Sequence, residues 1–184
     1  MNSVNHLQHM SIIELLSSVQ GSKGSAANIA LADAIAASGN SEAVKELVGL
    51  LKHQDRNIQS DSIKTLYEIG YRNPELIAPH CSEFLTLLAS RNNRLVWGAM
   101  AAITCIVPIC HEELFRSMDM IMEAVNTGSV ITIDCGVDIL AKLNRFDAYH
   151  NITDPLLMEQ LSKCPIKQLP TYAGKALEHI GKRN

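Results

Sequence analysis

The feature that most constrains this chain is its similarity to itself at a shift of 37 residues, which brings apolar positions into register over most of its length. Leu66, Ile103, Leu140 and Leu177 fall in one column. Ile69, Ile106, Leu143 and Ile180 form a second, and Leu47, Phe84, Ile121 and Met158 a third. Small residues share a fourth, Ser62, Ala99, Gly136 and Ala173, where two helices can approach closely. Shifting backwards places Ile29, Ala32 and Met10 in the first unit. The 184 residues therefore divide into five units, at about 4–40, 41–77, 78–114, 115–151 and 152–184, within one repeat domain.

Inside each unit the apolar spacing is helical and occurs twice. Val44, Leu47, Val48 and Leu51 lie at i, i+3, i+4 and i+7 behind Ser41, a suitable N-cap. After the polar stretch His53 to Asn57, a second helix buries Ile58, Ser62, Ile63, Leu66, Ile69 and Gly70 and turns Asp61, Lys64, Glu68 and Arg72 outward. Breakers recur in mid-unit at Asn92-Asn93, Thr127-Gly128-Ser129 and Cys164-Pro165. Asn73-Pro74 and Asp154-Pro155 are expected to open first helices, because proline costs little in a first turn. In the first unit, Ile12, Leu15, Leu16 and Val19 form a stripe rotated relative to the others.

Composition agrees with helices. Aromatic residues make up only 4% of the chain and hydrophobic residues 47%, so an all-α fold with a real core is expected rather than a sandwich or barrel. Helix pairs of this length, with the breaker in mid-unit and an apolar second helix such as Asp61-Ser62-Ile63-Lys64-Thr65-Leu66, resemble the HEAT/armadillo superfamily. The resemblance implies a right-handed α-α superhelix of five HEAT-like helix pairs, with the second helices lining the concave face.

Charge and targeting signals narrow the function classes. The formal net charge is −3, so no global attraction to nucleic acid or anionic membrane is expected. Residues 1–20 lack a basic region followed by a continuous apolar one, and the longest apolar run, Leu95 to Cys110, is interrupted by Thr104 and Pro108 before reaching the roughly 20 residues of a membrane span. Five cysteines, at 81, 105, 110, 135 and 164, read as reduced thiols. A cytoplasmic protein with no membrane partner is expected.

No motif for an enzyme emerges. His80-Cys81 and Cys110-His111 are adjacent pairs, whose side chains diverge by about 100° on a helix, so no metal site and no cofactor are expected. Phosphate-binding, nucleophile-elbow and zinc-protease motifs do not occur. DNA-repair glycosylases built from HEAT-like repeats carry Trp, Tyr and Asp on a concave face. Here Trp97 is the single tryptophan, and one turn later stands Ala101, not a carboxylate.

Two surface readings stand. Off the buried stripe of the second helices, the third unit shows Val96, Trp97, Ala101, Thr104, Cys105 and Pro108 where its neighbours show Lys64, Asp134 and Asp138. This pattern fits either a protein-binding patch anchored on Trp97 or a helix buried on both faces. Separately, the intra-repeat turns concentrate Lys52, Arg56, Arg91, Arg94, Lys163 and Lys167 against the single acid Asp55. At helix ends Lys52 and Arg91 complement the macrodipole, whereas Arg56, Arg94 and Lys167 at helix starts do not, and these favour an anionic partner. The sequence thus points to a non-catalytic adaptor binding a protein or peptide around Trp97, with nucleic-acid or anion binding through the turns, including a repair-like role, as the alternative and self-association through the third unit as a third option.

Overall fold

In a computed structural model, the structure describes residues 11–174 apart from residues 23, 166 and 169. The expected register positions Met10, Leu177 and Ile180 lie outside the described residues. No strand occurs among the described residues, and the helices run α1 (Ala26–Ser38), α2 (Ser41–Leu50), α3 (Arg56–Arg72), α4 (Pro74–Ile77), α5 (Cys81–Leu87), α6 (Asn93–Arg116), α7 (Met118–Thr127), α8 (Val130–Leu143) and α9 (His150–Lys163). Residues 170–174 are also helical.

Three of the mid-unit breakers coincide with helix starts because each offers a side-chain acceptor to an otherwise unmet amide. Asp55 caps α3 by accepting from the Asn57 N–H, Asn92 caps α6 by accepting from Arg94, and Ser129 caps α8 by accepting from Thr132. The cap of α2 is Asn40 rather than Ser41: its Oδ1 accepts from the Ala43 N–H at 3.1 Å. Gly39 closes α1 in the left-handed conformation, φ 65°, and returns its N–H to the Ile35 carbonyl.

The chain forms two compact units that divide between Glu83 and Phe84, a boundary inside α5 and inside the third 37-residue segment. In the first unit α3 packs against α1 and α2. In the second, α8 packs most extensively against α6 and also meets α7 and α9. The apolar columns of the middle segments are interior: Leu47, Leu66, Ile69, Phe84, Ile103, Ile106, Ile121, Leu140 and Leu143 are all buried. Each such side chain contributes roughly 1.5–3 kcal/mol. At Gly136, another of the expected close approaches, α8 lies against Val125 of α7.

The rhythm is not uniform. Arg56, Asn93 and Val130 open their helices at intervals of 37 residues, but Ala26 opens only 30 before Arg56. The buried stripe of α1 is accordingly Asn28, Leu31, Ala32 and Ile35, with Ile29 only half-buried. Before it, the expected stripe is a single 3-10 turn, Ile12–Leu15, with Ile12 and the following Leu16 buried and Val19 beyond it exposed.

At the other end, α9 opens at His150 and carries Pro155 within it, not at Asp154-Pro155. The amide that Pro155 lacks would have met the carbonyl of Asn151, an exposed residue, so the loss is cheap. Thr153 and Asp154 instead hold the buried Asn144, whose Oδ1 accepts from the Thr153 hydroxyl at 2.8 Å and whose Nδ2 donates to Asp154. This anchoring leaves Thr153, Leu157 and Gln160 buried and Met158 exposed, one residue out of the expected column.

Candidate functional site

Helix α6 carries the expected patch, and it is longer than the sequence suggests. It continues through Thr104 and Pro108 to a kink at Cys110 (φ −106°, ψ 19°), beyond which a second helical stretch runs to Arg116. Among the described residues it alone is long and apolar enough to cross a membrane, and just over half of its most apolar stretch is buried within the protein.

Of the residues expected to form the patch, Val96, Ala101 and Thr104 are buried, so they do not wall an open pocket. Helix α8 packs along α6, and small residues at Gly98, Ala99, Ala101 and Ala102 leave no bulk to hold neighbours away. Trp97 and Cys105 are half-buried and Pro108 is exposed. The accessible part of the site is therefore narrow: the indole, one thiol edge and the proline ring. Cys105 donates its thiol to the Ala101 carbonyl at 3.2 Å, the ordinary helical arrangement for a structural cysteine.

The expected rim charges have internal partners. On α8, Asp138 pairs with Lys142 at 2.8 Å, and Lys142 also donates to the Thr104 carbonyl at 2.9 Å. Asp134 is half-buried on the same helix, and burial, followed by the Asp134 charge, raises the pKa of the Tyr172 phenol. Lys64 belongs to the first compact unit, where it pairs with Glu68 at 2.6 Å and lies 4.6 Å from the centre of the Tyr67 ring. Burial pulls the Lys64 pKa down, but the bonds to Glu68 and Tyr67 outweigh it and hold it above the usual lysine value. Glu68 is the mirror case: burial pushes its carboxyl up, and bonds from Lys64 and Arg72 more than compensate, keeping it below the ordinary glutamate value. Asp61 turns inward, accepting from the Ser18 N–H and from Asn28 Nδ2, each at 2.7 Å.

All six turn cations, Lys52, Arg56, Arg91, Arg94, Lys163 and Lys167, are exposed. Lys163 is paired with Glu159. Lys52 and Arg56 lie in the first unit and the other four in the second, with the turn between α7 and α8 contributing no cation among them.

Two features were not visible from sequence spacing. His111, Phe115, Phe146 and Tyr149 form an aromatic cluster: Phe115 stacks on Tyr149 with centroids 4.0 Å apart, His111 stacks on Phe146 at 4.1 Å, and His111 Nδ1 shares a 2.9 Å hydrogen bond with the Tyr149 hydroxyl. Beside it, an open groove of about 480 Å³ runs between α7 and α9, lined by Phe115, Met118, Met122, Ile152, Pro155 and Leu156. The only sequence trace of either is that Phe115, Phe146 and Tyr149 cluster near segment boundaries.

No protein-family model matches the sequence. No curated protein matches it either. Solved structures do. One engineered protein, a structural-genomics target, superposes with a TM-score of 0.67 over 98% of this chain and 80% of its own length at 21% identity. A second engineered protein gives 0.60 over 92% and 79% at 24% identity. A computationally designed armadillo repeat protein for modular peptide recognition gives 0.58 over 91% and 80% at 19% identity. Identities this low speak to backbone architecture alone, and with the all-helical order and helix pairing above they agree on one: the chain has the armadillo/HEAT-like helical-repeat fold.

Proposed function

We propose that the chain is a non-catalytic scaffold that binds a protein or peptide on the second-helix face around Trp97. The observation that carries this reading is the partial exposure of the single tryptophan on α6, a helix whose neighbouring positions Val96, Ala101 and Thr104 are buried. A large aromatic side chain with a buried surround is the usual form of a binding anchor. Pro108 and Cys105 extend the contact along α6, and Asp134 on α8 adds an acidic group for orientation. The similarity in fold to a designed protein built for peptide recognition supports the same class of partner.

Selection of peptides from a displayed random library tests this directly, because Trp97 is the only indole and its fluorescence reports on its own surroundings. Bound peptides are expected to shift or quench that emission, and Trp97→Ala is expected to abolish binding while leaving the folded state intact. Peptides that bind without altering the emission would place the site elsewhere.

A second reading, binding of nucleic acid or another anion through the turns, is favoured by one observation: Arg56 and Arg94 stand exposed in the first turns of α3 and α6, where the helix dipole gives them no support. Duplex DNA binding that weakens steeply with salt and is lost on reversing both charges is its signature.

A further inference from the structure

The geometry points to Lys142 as a surrogate backbone donor that replaces the amide missing at Pro108, and this inference is independent of the binding role proposed above. In an α-helix the amide of residue i bonds the carbonyl of residue i−4. Position 108 is proline, so the carbonyl of Thr104 lacks the amide that an α-helix would give it. Thr104 is buried, so its carbonyl has little access to water. A proline inside a helix bends it and leaves that acceptor in need of another donor.

Here α6 kinks just beyond Pro108, at Cys110, and the Thr104 carbonyl lies on the near side of that kink. The group that meets the acceptor comes from α8, 38 residues further along the chain: Lys142 Nζ donates to Thr104 O at 2.9 Å. The ammonium is itself largely enclosed, its side chain 22% exposed, and Asp138 on the preceding turn compensates its charge at 2.8 Å. An ammonium has three donors and no acceptor, which suits it to bridge a carboxylate and a carbonyl. Lys142 thus does two things at once. It supplies a donor to the Thr104 carbonyl, and it ties α8 to α6 one turn before the proline. The Asp138–Lys142 pair is accordingly committed to the interior of the second unit rather than to a ligand.

The consequence is energetic coupling between Lys142 and Pro108 through the Thr104 carbonyl. A double-mutant cycle on the full chain tests it, read as the urea midpoint of unfolding. Lys142→Met keeps the apolar stem and removes the donor, and Pro108→Ala restores the amide to Thr104. Lys142→Met is expected to lower the midpoint in the parent and to lower it distinctly less in the Pro108→Ala background, so that the double variant is more stable than the sum of the single changes implies. Lys142→Arg, which keeps a donor, is expected to retain part of the parent's stability. Should Lys142→Met fail to fold, recovery of a folded protein with Pro108→Ala supports the inference equally. Equal losses in both backgrounds, or no folding in either, overturn it.

Discussion

Gly136 of α8 faces Val125 of α7 so closely that a Cβ built on it would lie 2.3 Å from Val125 Cγ2. Valine has little rotamer freedom with which to move aside. Gly136→Ala is therefore expected to destabilise by about 1–3 kcal/mol through overpacking, despite the better helix propensity of alanine. Adding Val125→Ala should return much of that loss, measured by urea unfolding of the single and double variants.

The Lys64–Glu68–Arg72 series along α3 carries a pH signature. The folded-state pKa of Glu68 lies below its ordinary value of 4.5, so the carboxylate contributes stability that is fully present above the unfolded pKa and lost as pH falls through the folded one. Glu68→Gln should lower stability at neutral pH by on the order of 1–2 kcal/mol. The difference from the parent should narrow as pH drops below 4.5, in unfolding midpoints taken across that range.

Asn28 is fully buried, accepts from the Ser17 N–H at 2.9 Å and donates to Asp61. Asn28→Ala leaves a buried amide and a carboxylate oxygen without this partner, a loss of about 1–3 kcal/mol. Amide hydrogen exchange at Ser17 is the local readout, and it should accelerate more than exchange in α8.

The position of α9 predicts opposite outcomes for neighbouring residues. Leu157 is buried, and Leu157→Ala should cost about 2–5 kcal/mol. Met158 is 64% exposed, and Met158→Lys should stay within about 0.5 kcal/mol of the parent. Thermal unfolding of the two variants separates them.

By itself the sequence determined that this chain is helical, that its helices come in pairs, where the mid-unit turns fall, and which columns fill the interior of the middle segments. Those properties are local: amphipathic spacing, cap residues and breakers act within a few residues and read the same in any surroundings. Tertiary structure decided the rest. Near the chain ends, α1 and α9 took registers set by Asn28 with Asp61 and by Asn144 with Thr153, contacts between residues 9 to 33 apart that no apolar period records. Burial of Val96, Ala101 and Thr104 beside a partly exposed Trp97 depended on how closely α8 approaches α6, which a sequence offset does not encode. The candidate site was legible as a location on α6 but not as a shape. Pro108 reads as an interruption in the sequence, and only the tertiary structure brought Lys142 from another helix onto the Thr104 carbonyl that the proline leaves without its amide.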